Sequence, residues 1–559
     1  MKKLILIPIL LIAFSCKEEP KVEKEEIILW ESYNDSTEVA ANLNHEKERM
    51  RYKHIQSKIL DKNEVFLPLY DEVSKFSEEQ YQALKSSILE QNIFDIRKQI
   101  EDGKFKYEDL VLFYLYRIYK YELDNSTTLN TVIALNKDVV DQARALDKKV
   151  SDGLGSTSRH PIYGMPILLK DNINTSSMKT TAGAIALMDN EVEDAFIVKQ
   201  LKGNGALILG KVNLSEWANF LCNCPNGQSA VGGQTLNPYG RRIFDTGGSS
   251  AGSGTSMAAN YAVAAVGTET SGSILSPSSQ NSVVGLKPTI GLLSRTGIVP
   301  ISSTLDTPGP MTRNIIDNAI LLSAMTGKDT LDSESIDDHF PGIISAGLHP
   351  TPFKDMRLGA MKSLIESDSI YKNTIEKLKK LGAEIIEFTP LEVAMDGFLS
   401  ILNIDMKNDL PEYLKTQVKN KNSVKITSVA DAVAFNRADS LVRIPYGQVR
   451  FDGILADTTS AEELAKIKSR LEKNGRHFFD SAMDKHDLDA VLSINNYHAG
   501  FAAVAKYPAL TVPMGYKKSG EPVGLTFIGK RFKEADLLRL GAAFEKATQA
   551  RKIPDGYKL

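Results

Sequence analysis

The chain has 559 residues, 42% of them apolar and 25% charged, with a formal net charge of −3 and an isoelectric point near 6.3. That is the composition of a globular protein, and its balance of charge excludes a nucleic-acid partner, which needs clustered positive charge. No internal repeat or low-complexity block is present.

At the N-terminus Lys2 and Lys3 precede an apolar run from Leu4 to Phe14, and Ser15-Cys16 follows. A basic stretch, a short apolar core and a small residue before the cut make residues 1–15 a secretory signal peptide. The run is too short to cross a bilayer, which takes about 20 residues. Its ending, Leu11-Ile12-Ala13-Phe14-Ser15-Cys16, resembles a bacterial lipobox. That resemblance implies lipid attachment at Cys16 and an exported protein anchored in a bacterial membrane, at the periplasmic face or the cell surface. Lys17-Glu18-Glu19 resembles an export tag of surface lipoproteins.

Residues 16–87 read as a charged tether and an N-terminal helical segment, in which Ile27, Ile28, Leu29 and Trp30 are expected to pack on the body. The main domain is expected over 88–559. From Ile88 the apolar spacing is helical, through Ile93, Ile96 and Ile100 and then Leu110, Val111, Tyr114, Leu115 and Ile118, and Val132 to Val150 continues the habit. Gly164-Met165-Pro166-Ile167-Leu168-Leu169-Lys170-Asp171 is a strand-like apolar run ending in a lysine. Phe196 to Leu201 reads as a helix stopped at Gly203 and Gly205, and Ala206 to Gly210 as a strand. Helix, glycine stop and buried strand, repeated from Leu378 to Ile386, indicate an α/β fold in which helices pack on the faces of a sheet.

Thr246 to Pro277 predicts loop, helix, strand, loop: two Gly/Ser turns bracket a small-residue helix and an apolar strand over Val263 to Val266. Residues 327–487, interrupted by Pro341, Pro350, Pro352 and Pro411, read as a helical cap or insertion near the substrate pocket. Leu488 to Ile494 and Ala509 to Val512 are further strands. Of the three cysteines, acylation of Cys16 leaves Cys222 and Cys224. A disulfide across one residue is strained, so these are expected as two half-buried thiols, with a labile disulfide or a soft-metal site as the alternative, and without matched histidines they make zinc improbable.

A serine hydroxyl needs a base to become a nucleophile. Ser249 and Ser273 lie in the two Gly/Ser loops. Ser271 and Gly272 allow a tight turn whose N–H groups converge as an oxyanion hole requires. Burial of Lys170 at the inner end of its strand would lower its pKa and free a neutral amine, although a lone lysine at a strand end more often snorkels to solvent. Asp171 faces the other side of the strand and is expected to serve structural hydrogen bonds. His160 and His498 are the histidines placed nearest by sequence, each more often a loop or core residue.

Gly248-Ser249-Ser250-Ala251-Gly252 also fits the nucleophile elbow of an α/β-hydrolase, with Ser250 as nucleophile and a histidine required. The elbow predicts a strand immediately before it, for which Gln234 to Asp245 is poorly suited. No Gly-Lys-[Ser/Thr] closes the glycine run, so a phosphate loop is weaker still.

Three motifs stand in order: Gly164 to Asp171, Gly247 to Gly252, and Gly272-Ser273 followed by Gly285-Leu286-Lys287-Pro288-Thr289. With Asn213 to Trp217 and Asp306 to Pro310, they resemble the amidase signature family, in its peptide-amidase-like branch, from Ile88 to the C-terminus. The resemblance implies a central mixed twisted sheet covered by helices on both faces. It implies Ser273 as acylating nucleophile, Ser249 as a bridging serine held by a cis peptide, and Lys170 as base. Backbone N–H groups of Thr270, Ser271, Gly272 and Ser273 would be the oxyanion donors. The substrate would be a small-molecule or peptide amide, with no metal or organic cofactor. The sequence departs from the family at Ser271, where many members carry Asp or Gly, and at Leu275, where many carry Arg and which bears on charge recognition. Amidotransferase relatives work with partner subunits in the cytoplasm, which the signal peptide disfavours. Two other readings stay open: an esterase of the α/β-hydrolase kind, and a catalytically silent surface lipoprotein that binds a ligand.

Overall fold

The computed structural model describes residues 27–152, 159–336, 342–350 and 352–558. The signal peptide and Cys16 lie outside them, as does most of the loop from Gly153 to His160. Thirteen strands are present among the described residues: β1 Val132–Leu135, β2 Pro166–Lys170, β3 Leu207–Val212, β4 Gln228–Ser229, β5 Gly233–Gln234, β6 Ala264–Glu269, β7 Val284–Lys287, β8 Thr307–Thr312, β9 Arg357–Met361, β10 Glu384–Phe388, β11 Ala490–Ile494, β12 Ala509–Tyr516 and β13 Pro522–Ile528. Eleven of them form one sheet in the order β1-β3-β2-β6-β8-β7-β12-β13-β11-β9-β10, and β4 pairs with β5 separately.

The sheet is mixed. β3, β2 and β6 run parallel, as do β11, β9 and β10, and the strands between them pair antiparallel. Its central strands β2, β6 and β8 are buried at every position, as expected of strands covered on both faces. The register shows which helices cover them. Gly285 of β7 lies under the helix Leu275–Gln280, where a Cβ would meet Ser278 Oγ at 2.1 Å. Leu510 pairs with Leu286 on the opposite face and packs against Gly541 of the helix Glu534–Thr548. Alternation along the strand thus sends neighbouring residues to two helical layers.

The helix expected over Val132 to Val150 is interrupted. Val132–Leu135 is the edge strand β1, antiparallel to β3, and the helix begins at Val139. Apolar spacing alone does not separate a short strand from a helical turn, and Val132 and Ile133 are β-branched residues that suit the strand. Residues 27–87 pack against the body. Leu29 and Trp30 donate their N–H groups to Asn63, while Ile27 and Ile28 stay exposed at 47% and 62%. The 327–487 stretch divides: its first part supplies β9 and β10 to the sheet, and helices between Phe398 and His486 form a layer with its own apolar core. Trp217, Ala218, Val299, Ile301 and Leu305 join that core from the body. Cys222 and Cys224, expected as thiols, are paired in a disulfide within it. No helix among the described residues is long and apolar enough to cross a membrane.

Where β2 ends, Lys170 and Asp171 point to opposite sides. Asp171 forms a fully buried ion pair with Lys211 of β3 at 3.0 Å. Lys211 also donates to the Ile173 carbonyl at 2.7 Å and to Thr180 Oγ1 at 2.9 Å, and Asp171 accepts the N–H and hydroxyl of Thr181. Removing one partner leaves a charge stranded in the core, which costs about 3–5 kcal/mol. Lys211→Met is therefore expected to lower the urea midpoint of unfolding sharply, and adding Asp171→Asn to recover part of the loss.

Candidate active site

β2 carries Lys170 into the interior, where its ammonium has no exposed surface. Its Nζ lies 2.7 Å from Ser249 Oγ, 3.1 Å from the Thr268 carbonyl and 2.9 Å from Thr268 Oγ1. Burial pulls its pKa down to about 7, against the opposing pull of Asp306 and Glu269. A neutral amine has two N–H bonds and one lone pair. Thr268 offers two acceptors, its carbonyl and its hydroxyl, and Ser249 Oγ is the third contact, to which a charged Nζ donates and from which a neutral one can accept. Asn172 Nδ2 donates to the same Thr268 hydroxyl at 3.0 Å and fixes it.

Ser249 sits in the turn before the helix Ala251–Ala258, and the Gly248–Ser249 peptide is cis. Only glycine fits before it: a Cβ on Gly248 would lie 2.6 Å from Ser215 Oγ and 2.7 Å from Asn226 Oδ1. The Ser249 carbonyl accepts the Ser215 N–H at 3.0 Å. That contact anchors the segment Trp217-Ala218-Asn219, three consecutive residues in the left-handed region that turn Ala218 toward the site.

Ser273 lies on the loop after β6 and is 8% exposed. Its carbonyl accepts the N–H of Ser250 at 3.1 Å, so the two serine loops are stitched together through the backbone. The structure brings Lys170 and Ser249 into contact, whereas Ser273 Oγ takes part in no hydrogen bond among the described residues. Beneath the loop, Glu269 Oε2 accepts the N–H groups of Ile274 at 2.7 Å and Leu275 at 3.0 Å. Residues 270–273 arch between β6 and that anchor, with Gly272 at φ +82°. None of the N–H groups of Thr270, Ser271, Gly272 and Ser273 donates to an acceptor among the described residues, so all four remain available to an oxyanion. Asn496 and Ala499 border Gly272, and Met395 and Ser271 lie within 3.9 Å of the Cβ position of Gly500.

Ser250 is occupied structurally. Its hydroxyl donates to the Thr268 carbonyl at 3.0 Å and accepts the Thr268 N–H at 3.2 Å, and no strand directly precedes it. The elbow reading therefore fails on both its nucleophile and its strand. His160 lies 3.5 Å from Ser323, and His498 pairs with Ser493 at 2.6 Å beside the stacked rings of Phe478 and Phe501. Burial lowers both imidazoles to about 4, and neither is bonded to a serine of the two loops.

Three residues of the site were not singled out from sequence: Thr268, Glu269 and Asp306. Asp306 Oδ1 accepts the Thr270 hydroxyl at 2.5 Å. Thr268 and Glu269 stand just before the Gly272-Ser273 loop, and Asp306 opens the Asp306 to Pro310 motif, so their positions were visible and their mutual approach was not. Among the described residues no cluster of His, Cys, Asp and Glu is placed to hold a metal ion.

The family model for amidases matches residues 109–493. A probable amidase of Arabidopsis thaliana is 37% identical over 484 residues, covering 84% of this chain and 92% of the plant protein. The solved structure of an amidase family protein from Bacillus anthracis superposes with a TM-score of 0.83 at 36% identity, over 90% of this chain and all of that one. Peptide amidase from Stenotrophomonas maltophilia superposes with a TM-score of 0.78 at 35% identity, over 83% of this chain and 98% of that one. With its mixed sheet and its site built on Gly/Ser loops, the chain belongs to the amidase signature family and is an amidase.

Proposed function

We propose that this amidase hydrolyses its substrate through an acyl-enzyme on Ser273, using a Ser273-Ser249-Lys170 relay. The observation that carries the reading is the bonding of Lys170: a fully buried amine that touches Ser249 Oγ and otherwise only the carbonyl and hydroxyl of Thr268, so that in its neutral form it has a lone pair to offer Ser249. As Ser273 Oγ attacks the amide carbonyl, its proton passes to Ser249 and the Ser249 proton to Lys170. The oxyanion takes up N–H groups of the 270–273 loop. Collapse of the intermediate breaks the C–N bond, and the proton returns from Lys170 through Ser249 to the departing amine. Water then repeats the sequence on the ester, releasing the acid and regenerating Ser273.

The substrate proposed is a small-molecule or peptide amide, in keeping with a solved relative that is a peptide amidase. Leu275 leaves its side of the loop without a cation. We further propose that the protein is exported and held at a bacterial membrane by a lipid on Cys16. The Cys16→Ser variant is then expected to leave the membrane fraction with its specific activity unchanged, and unchanged fractionation would show that the lipid is not the anchor.

A fluorophosphonate probe is expected to label Ser273 in the folded protein, and Ser273→Ala to lose the label and activity by about a thousandfold or more. An adduct on another serine, or none, would sink the assignment. Because the reactive form of Lys170 is neutral, acylation is expected to rise as pH passes about 7 and then level off. Lys170→Arg keeps a cation but has no free base, so it is expected to be as slow as Lys170→Ala at every pH. Substantial activity in folded Lys170→Arg would mean that the residue serves as a fixed charge only.

A further inference from the structure

Asp306 opens the approach to β8 and is 9% exposed. Its Oδ2 accepts the N–H groups of Ile301 at 2.8 Å and Ser302 at 2.9 Å, which closes the turn before β8. Its Oδ1 reaches away from that turn to the Thr270 hydroxyl, 36 positions distant in sequence. A residue that only shaped the turn would have no need of the second contact. The carboxylate thus ties the head of the oxyanion loop to the turn that carries Ile301.

Asp306 also stands between two spaces. On one side is a water-sized chamber of about 10 Å³ shared with Asn172, Thr268 and Thr270, immediately behind the acceptors of Lys170. On the other is an open groove of about 560 Å³ that includes Arg295, Ile298 and Tyr413. The charged groups facing Asp306 are Lys170 from β2, Glu269 from β6, Arg295 from the loop after β7, and Asp332, Asp409 and Glu412 around the groove. Arg295 is bound by Asp332, and Asp409 accepts the Ser303 N–H at 2.7 Å.

We propose that Asp306 is a positioning residue of the acyl transfer, whose carboxylate fixes Thr270 at the head of the oxyanion loop and places a negative charge across the small chamber from Thr268, the partner of Lys170. This rests on Lys170 acting as the base. Among the charges acting on Lys170, Asp306 exerts the largest pull toward the ammonium form, ahead of Glu269. Burial raises its own carboxyl to about 6, against the lowering effect of Thr270, Ser302, Ile301 and Arg295. As pH falls Asp306 takes up a proton and its hold on the ammonium weakens, so the two groups titrate as a coupled pair and the acid limb of acylation is broad.

The test is the rate of fluorophosphonate acylation of Ser273 between about pH 5 and about pH 9 in the full chain, for wild type, Asp306→Asn, Asp306→Glu and Thr270→Val. Removing the carboxylate lowers the pKa of Lys170, so Asp306→Asn is expected to move the midpoint down by about half a pH unit or more and to sharpen the limb toward a single proton. Its plateau should fall severalfold, because the amide keeps its oxygen on the Ile301 and Ser302 N–H groups only by presenting N–H bonds to Thr270, whose hydroxyl must then accept instead of donate. Asp306→Glu restores the charge and is expected to restore the midpoint while the plateau stays low. Thr270→Val keeps the carboxylate and loses the hydroxyl, so its plateau should fall severalfold with the midpoint in place. An unmoved or raised midpoint in folded Asp306→Asn overturns the inference while leaving the base assignment standing. A wild-type plateau in Thr270→Val overturns it as well, whether or not Asp306→Asn folds. Absence of any acid limb in wild type is the separate result that removes Lys170 as base, and this inference with it.

Discussion

Everything at this site depends on keeping an amine out of water. Lys170 has no solvent to stabilise its ammonium, and the compensation it receives is deliberately incomplete: one carbonyl, two hydroxyls and no carboxylate in contact. Had an acid been placed against Nζ, the pair would have stayed ionised and the lone pair would not exist. The negative charges that act on it, Asp306 and Glu269, are engaged by backbone N–H groups and by Thr270. The site therefore separates two tasks. Its carboxylates organise loops, and Lys170, the base of the proposed relay, is left with neutral partners.

The fold supplies that arrangement through strand ends. Lys170 ends β2, Thr268 and Glu269 end β6, and Asp306 precedes β8, three adjacent strands of the sheet. β2 and β6 run parallel, so their C-terminal ends meet at one edge, and β8 is antiparallel, so its beginning arrives at the same edge. A purely parallel sheet would have placed Asp306 at the far end. The Gly/Ser loops then need only cross a short gap, and the backbone bond from Ser250 to Ser273 closes it.

The residues of the candidate site were easier to single out in the sequence than the contacts that place them. The helix-glycine-strand units at Phe196 to Gly210 and Leu378 to Ile386 read correctly because a glycine stop and a buried apolar run are local signals. Val132 to Val150 misled because β1 is only four residues long, shorter than the window in which a period of two can be told from one of 3.6. Lys170, Ser249 and Ser273 were visible through their motifs. The partners that place them were not, since Thr268, Glu269 and Asp306 act through contacts across strands, and a threonine or carboxylate inside an apolar stretch carries no local mark of which backbone group it will meet. Cys222 and Cys224 illustrate the same limit, because their spacing argued against the pairing that the structure contains.

Three lysines are completely buried among the described residues, and comparing them shows what sets the surroundings of Lys170 apart. Burial lowers all three. Lys211 meets Asp171 at 3.0 Å, with a carbonyl and a hydroxyl taking its other N–H bonds, so the ion pair fills its coordination. Lys287, lowered to about 8 with Glu269 and Glu534 pulling it back up, donates to the Pro288 carbonyl and has no hydroxyl against it. The Thr180 hydroxyl that Lys211 touches donates to the Ile173 carbonyl at 3.4 Å. Lys170 alone of the three combines depletion of solvent, absence of a contacting acid and contact with the hydroxyl of a Gly/Ser loop, at Ser249. The proposed basicity of Lys170 thus rests on which atoms surround Nζ rather than on burial alone.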